Sequence, residues 1–155
     1  MIIETERLAI HVASEDEMRS NIEKQTDKEL IKAYNEMLQE SLAHRDAWNW
    51  YATWVIELKK GKPIGDLCFK GLNGDGSVEI GYGILEEHQG KGYATEAVGA
   101  VVAWALRQSG VRQVEAEAEQ ENIKSQRVLE KCGFVPLGII GEEGPRFYIA
   151  LCNLE

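Results

Sequence analysis

The sequence has no apolar run near the ~18 residues that a membrane-crossing helix needs. It has no Cys-x-x-Cys pair, no block of five basic residues and no Gly-Lys-Ser or Gly-Lys-Thr triplet. Each absence removes a class of function. Cys68, Cys132 and Cys152 are odd in number and sit in or beside apolar stretches, which fits reduced, buried thiols better than bridges. His11, His44 and His88 share neither i, i+4 nor His-x-His spacing, so no metal site is expected. Without a basic block, the net charge of −9 repels duplex nucleic acid and slightly favours a cationic substrate. Met1-Ile2-Ile3-Glu4 lacks the basic-then-apolar order of a secretory leader. The expectation is a cytoplasmic protein with neither a membrane nor a nucleic-acid partner.

What is present is ordinary for a globular protein: 155 residues, 44% hydrophobic and 28% charged, which predicts a single domain over residues 1–155. Glu6 to Val12 reads as an edge strand. Ser14-x-x-Glu17 and Thr26-x-x-Glu29 read as capping boxes that open two early helices. The second helix carries a stripe of Leu30, Tyr34, Met37, Leu38, Ser41 and Leu42, read as core. Trp50 to Leu58, Ile64 to Leu72 and Val78 to Leu85 alternate in polarity and predict an antiparallel meander. Trp48, Trp50 and Trp54 are read as packing residues before an aromatic wall for a substrate. A helix from Tyr93 to Ser109, a strand from Arg112 to Gln120, a helix from Ile123 to Cys132 and a closing hairpin complete the pattern. The fold class is α/β mixed: a twisted, mostly antiparallel sheet of about seven strands, four helices, and a β-α-β unit in the second half.

The stretch Gln89-Gly90-Lys91-Gly92-Tyr93-Ala94 joins the third meander strand to the long helix. Its glycines free the backbone to turn tightly and let a ligand approach the N–H groups. The helix's first turn, including Thr95, presents unpaired donors and the positive end of the macrodipole, while Lys91 adds a mobile charge. The stretch reads as an anion cradle suited to a phosphorylated cofactor, with a plain strand-to-helix turn at Gly90 and Gly92 as the competing role. In Val78 to Leu85, Gly81 and Gly83 share a face, which marks a close approach by another group or a bulge.

Four blocks in order resemble the GNAT superfamily of acetyl-CoA-dependent N-acyltransferases: Glu79-Ile80-Gly81-Tyr82, Gln89-x-x-Gly92-x-Ala94-Thr95-Glu96-Ala97, Asn122-x-x-Ser125, and Glu130-Lys131-Cys132-Gly133-Phe134. The pattern is most similar to the branch of ribosomal-protein N-terminal acetyltransferases, as is the opening Thr5-Glu6-Arg7-Leu8; residues from about 14 to 62 match no specific motif. The resemblance implies acetyl-CoA held at Gln89 to Thr95, with its pantetheine arm along the end of the Val78 to Leu85 strand. It also implies a backbone N–H near Ile84 or Leu85 facing the thioester oxygen, and Asn122 holding the cofactor arm. Capping of the next helix is the competing role for Asn122. The two early helices would flank the acceptor entrance.

Many members of the superfamily carry a tyrosine seven residues after this Asn, placed to protonate the leaving thiolate. Here that position is Leu129. Ser125, one turn earlier on the same helix face, is the candidate acid, with local backbone bonding as its competing role. Glu79 is the first candidate base, through water, with Glu117 and Glu119 as alternatives; three glutamates at 115, 117 and 119 are otherwise a solvated face. The acceptor is a primary amine, and a peptide α-amine needs the least help from a base because it titrates near ~7.7–8.0. Two rivals stand beside this reading. One is a non-catalytic acetyl-CoA-binding module. The other is a nucleotide-binding oxidoreductase, opposed by the missing third glycine and by the meander that precedes the motif. A homodimer is open.

Overall fold

Helix starts in this chain are set by side chains that occupy otherwise orphaned N–H groups. In the computed structural model, which describes residues 1–151, Ser14 and Glu17 form the expected capping box at the head of α1 (Glu15–Lys24). The second start falls one residue later than expected. Asp27, not Thr26, caps α2 (Lys28–Ala43), accepting from the N–H groups of Glu29 and Leu30, because a carboxylate facing the positive helix end outcompetes a neighbouring hydroxyl.

The strands are β1 (Ile3–Glu4), β2 (Leu8–Val12), β3 (Thr53–Leu58), β4 (Pro63–Leu72), β5 (Ser77–Ile84), β6 (Gln113–Glu117), β7 (Val135–Ile140) and β8 (Pro145–Ala150), with α3 (Tyr93–Leu106) and α4 (Ile123–Lys131) in the second half. Among the described residues there are thus eight strands in place of about seven, the extra one being β1, too short to carry a period. The strand expected to begin at Trp50 begins at Thr53, because Arg45–Trp50 coils into a 3-10 segment. Cys152 lies outside the described residues.

All eight strands form one sheet in the order β1-β2-β3-β4-β5-β6-β8-β7. Every pairing is antiparallel except β5 with β6, which α3 connects. One face of the sheet is apolar: Leu8, Ile10, Trp54, Ile56, Leu67, Phe69 and Ile80 are at most 2% exposed and join Val98, Val101 and Ala105 of α3 in the core. Each fully buried aliphatic side chain contributes about 1.5–3 kcal/mol. Trp50 and Trp54 belong to this core, edge-on to Phe69 and against Trp104, and Trp48 donates its indole N–H to the Ala13 carbonyl at 2.8 Å. All three are engaged in packing, as expected.

The other face is polar, and α1 and α2 cover only its β2–β4 end, through a smaller cluster of Ala13, Met18, Leu38 and Ala52. The stripe on α2 is only partly core: Leu38 and Ser41 are buried, Leu30 is 44% exposed, and Tyr34 points its hydroxyl at Asp66.

Candidate functional site

The sheet opens in its middle. Strands β5 and β6 pair only at Ser77↔Gln113, Val78↔Val114 and Glu79↔Glu115, while β5 runs on to Ile84 still paired with β4. Beyond Glu79 the edge of β5 therefore faces a gap. In an antiparallel pair, successive residues turn their N–H and C=O to opposite sides. Leu85 donates its N–H to the Ile64 carbonyl at 2.8 Å, so Leu85 points at β4 while Ile84 and Tyr82 point into the gap. Of the two residues expected to offer an N–H to a thioester oxygen, Leu85 is thus excluded from that role, its amide being spent in the sheet. Ile84 keeps an N–H toward the gap, and its carbonyl is held by Gln89 Nε2 at 2.8 Å. A Cβ added to Gly83 would meet nothing within 4 Å, so the polar face above it is open.

The glycine loop closes one end of this gap. Gly90 and Gly92 have φ of +78° and +83°, a region costly for any residue with a side chain. Gly92 occupies the cap position of α3 and supplies no capping side chain, so Tyr93, Ala94 and Thr95 begin the helix with free N–H donors. An uncapped N-terminus beside an open glycine backbone fits a pyrophosphate.

The loop is gripped from behind by a segment to which the sequence assigned no role. Arg7 Nε binds Glu96 Oε1 at 2.7 Å, its Nη1 donates to the Lys91 carbonyl at 2.9 Å, and its guanidinium lies 4.4 Å from the centre of the Tyr93 ring. The Arg7 N–H and the Thr5 hydroxyl both donate to the other oxygen of Glu96. Burial pushes the Glu96 carboxyl up, but these bonds outweigh it and hold it below the ordinary glutamate value. The signal was visible in Thr5-Glu6-Arg7-Leu8, but only as a resemblance.

Across the gap stands α4. Asn122 caps it, accepting from the Ser125 N–H at 3.1 Å. Ser125 turns its hydroxyl toward β5, where Oγ lies 2.7 Å from the Tyr82 phenol oxygen. Leu129, one turn on, is fully buried.

The candidate bases separate sharply. Glu79 lies 2.7 Å from Lys70 Nζ and 2.8 Å from Arg146 Nη2. Arg146 also binds Glu115 at 3.2 Å and Glu117 at 2.9 Å, so these two do not form a merely solvated face. Burial raises the Glu79 carboxyl, yet the bonds to Lys70 and Arg146 outweigh it and leave it lowered. Glu119 is exposed. Asp66, missed by sequence reasoning because no motif covers its strand, is the opposite case. It sits on the same face, across from Gly83 in register. Burial raises its carboxyl against the opposing hydrogen bond from Tyr34, whose hydroxyl donates to Oδ2 at 2.8 Å.

Asp66 lines a cavity of about 510 Å³ between α1, α2, β3 and β4, which also draws on Asp16, Glu17, Lys24, Tyr34 and Glu57. Four carboxylates against one ammonium make its interior attractive to cations. Among the described residues no cluster of three metal-ligating side chains occurs, and no helix is long and apolar enough to cross a membrane. Cys68 and Cys132 are unbridged, and burial lifts the Cys132 thiol to about 11.

Comparison with known proteins gives concordant results. The family model described as an acetyltransferase (GNAT) domain matches residues 4–135. A Bacillus subtilis (strain 168) protein named as an uncharacterized N-acetyltransferase, YjdG, is 33% identical over 99 residues, 63% of this chain and 59% of its own length. The chain thus spans about three fifths of the first curated relatives it matches. Solved structures that share the fold include the following two. A ribosomal L7/L12 alpha-N-protein acetyltransferase, RimL, in complex with coenzyme A superposes with a TM-score of 0.77 at 16% identity, covering 97% of this chain and 98% of that one. The Vibrio cholerae spermidine N-acetyltransferase in complex with coenzyme A and spermine gives 0.76 at 20% identity, covering 97% and 100%.

Proposed function

Because this chain belongs to the GNAT acetyltransferase family, we propose that it transfers an acetyl group from acetyl-CoA to a primary amine carried on a cationic molecule. The observation that carries this reading is the parting of β5 from β6 after Glu79, with an uncapped helix N-terminus at one end of the gap and an acidic cavity beneath the neighbouring strands. Bound acetyl-CoA would supply the activated acyl group.

The chain's own residues divide the remaining tasks. The first turn of α3 and the Gly90–Gly92 backbone receive the pyrophosphate, with Lys91 adding charge. The Ile84 N–H, aimed into the gap, donates to the thioester oxygen as negative charge develops there. Asn122 fixes the start of α4 and so the position of Ser125, which protonates the departing sulfur. We assign the base to Asp66 in place of Glu79. A carboxylate held low by two cations is a poor proton acceptor, whereas one raised by burial is a better one.

The cavity refines the acceptor. An amine with further positive charge gains from Asp16, Glu17 and Glu57 as well as Asp66, and the spermidine acetyltransferase that shares this fold makes a polyamine the natural first test. A peptide α-amine is the second reading, favoured by its larger neutral fraction at pH 7. Thiol release from acetyl-CoA, measured over polyamines, lysine, aminoglycosides and N-terminal peptides, decides between them. The expected result is turnover fastest with a polyamine. Acetyl-CoA at ~100 times its dissociation constant should also stabilise the fold by about 2.7 kcal/mol, a shift lost in Gly92→Val. No thiol release with any amine, together with a thermal shift for NAD and none for acetyl-CoA, overturns the assignment.

A further inference from the structure

Resting on the acetyl-transfer reading, we propose that Tyr82 is a positioning residue that acts through Ser125, supplying the proton that Ser125 passes to the leaving thiolate. Three observations converge on it. The Tyr82 phenol oxygen lies 2.7 Å from Ser125 Oγ, either hydroxyl able to donate, and 3.3 Å from the Ser125 carbonyl. The contact spans the gap, joining the free edge of β5 to the first turn of α4 at the level where the two strands have parted. The position one turn after Ser125 is Leu129, buried and without a proton.

The chemistry gives this contact a purpose. An aliphatic alcohol is about as weak an acid as bulk water, near 15.7, while a thiol titrates near ~8.5 and a phenol near ~10. A serine that gave up its proton unaided would work uphill by about seven powers of ten. An ordinary phenol that refills the serine as it donates reduces this to about two, and burial of the phenol adds to that remainder without approaching the serine's own. Burial raises the Tyr82 phenol and the Ser125 hydrogen bond opposes that rise, with the Cys132 thiol the other titratable neighbour; the phenol therefore holds its proton at neutral pH.

The step balances. The amine nitrogen forms the bond to the acetyl carbon and loses one proton to Asp66, which returns it to solvent. The carbon–sulfur bond breaks with its electron pair on sulfur, which takes the Ser125 proton. Ser125 takes that of Tyr82, and Tyr82 recovers one from water. The net products are amide and thiol, with no external reactant.

The test compares Tyr82→Phe, Ser125→Ala and the double variant by rapid-mixing measurement of the acetyl-transfer step, with the KM for acetyl-CoA and the Tm followed in parallel. Tyr82→Phe keeps the ring and removes only the hydroxyl. The expected result is a roughly 10²-fold loss in the transfer rate at unchanged KM and Tm, with the double variant no slower than Ser125→Ala alone. In the wild type, where carbon–sulfur cleavage limits the transfer, its rate should also fall with a curved dependence on the deuterium fraction of the solvent, which becomes linear in Tyr82→Phe as one of the two protons that move in that cleavage is removed. Wild-type transfer by Tyr82→Phe beside a slowed Ser125→Ala overturns the relay while leaving Ser125 as the acid. A linear solvent dependence in the wild type overturns it even where Tyr82→Phe does not fold. Absence of any transfer by the wild-type protein is instead a failure of the acetyltransferase reading itself.

Discussion

On one face of this sheet, two sets of carboxylates meet opposite fates. Glu79, Glu115 and Glu117 share Arg146, and Glu79 has Lys70 as well. Among the described residues Asp66 pairs with no cation and has only burial and the hydroxyl of Tyr34 acting on it. Glu79 in the first set is held low by its ion pairs, while Asp66 is pushed toward protonation and lines a cavity. Proximity to the glycine-rich strand is therefore a weaker guide to a base than the charges around it. Glu79 lies in a recognised block and is spent on ion pairs, while Asp66 lies in none.

The largest expected effect comes from breaking the first set. Arg146→Met leaves Glu79, Glu115 and Glu117 facing one another with only Lys70 to compensate, and removing one partner of a largely buried pair costs about 3–5 kcal/mol. At roughly 2–4 °C per kcal/mol for a chain of this size, a Tm loss of at least ~6 °C is expected near pH 7. The sign with pH follows from Glu79. Its folded value is lowered, so its contribution is complete above the ordinary glutamate value and lost as pH falls through the folded one. The deficit of Arg146→Met should therefore shrink toward pH 4. Urea unfolding of both proteins at pH 7.5 and pH 4 measures this, and an equal deficit at the two pH values contradicts it.

The next effect is on turnover. Asp66→Asn keeps an acceptor for the Tyr34 hydroxyl but removes the base, and kcat/KM should fall roughly 10²-fold. Wild-type kcat/KM should rise with pH through the elevated Asp66 value, and the variant should lack that rise. Stability should move the other way. A carboxyl whose folded value is raised makes the native state less stable as pH climbs from the unfolded value through the folded one. Asp66→Asn removes this penalty and should raise the Tm at neutral pH. Glu79→Gln should show the reverse pattern, a lower Tm with kcat kept, and a Glu79→Gln variant that folds well but loses turnover as Asp66→Asn does would erase the distinction between the two sets.

How far this arrangement could be read from sequence depends on the range of the contacts involved. The β5–loop–α3 unit is local, so its glycines, the uncapped start at Gly92 and the Asn122 cap were legible in consecutive residues. Element order was legible for the same reason, while β1 was too short to show a period and the turn of 3-10 helix ending at Trp50 broke the alternation that had suggested a longer strand. Residues whose role depends on a distant partner were not legible. Arg7 meets Glu96, Tyr34 meets Asp66, Tyr82 meets Ser125 and Arg146 gathers three glutamates, all across long sequence separations. Leu85 was open as a gap-facing donor because the direction of its N–H follows from strand register, which Ile64 sets and no pattern within β5 reveals.

The smallest expected effect tests whether a paired carboxylate elsewhere follows the same rule. Glu96 resembles the Arg146 cluster in miniature: an arginine and two further donors hold its carboxylate low at the head of α3. If paired carboxylates position structure and leave the chemistry to others, the Arg7–Glu96 contact serves to hold the Lys91 carbonyl and the Tyr93 ring, and through them the shape of the pyrophosphate loop. Arg7→Ala should then weaken acetyl-CoA binding by roughly tenfold, since a contact that positions a site alters affinity without entering the reaction. Saturating acetyl-CoA should restore kcat, and the KM for the amine should be unchanged because Arg7 does not line the acidic cavity. Arg7→Lys should recover little, as an ammonium cannot reach the carboxylate, the carbonyl and the ring face in one plane. Calorimetric binding of coenzyme A, read beside kcat and both KM values, separates this outcome from a role in turnover. A fall in kcat at saturating acetyl-CoA with affinity unchanged would place Arg7 among the reacting groups, and the structural rule drawn from Arg146 would not extend to this end of the sheet.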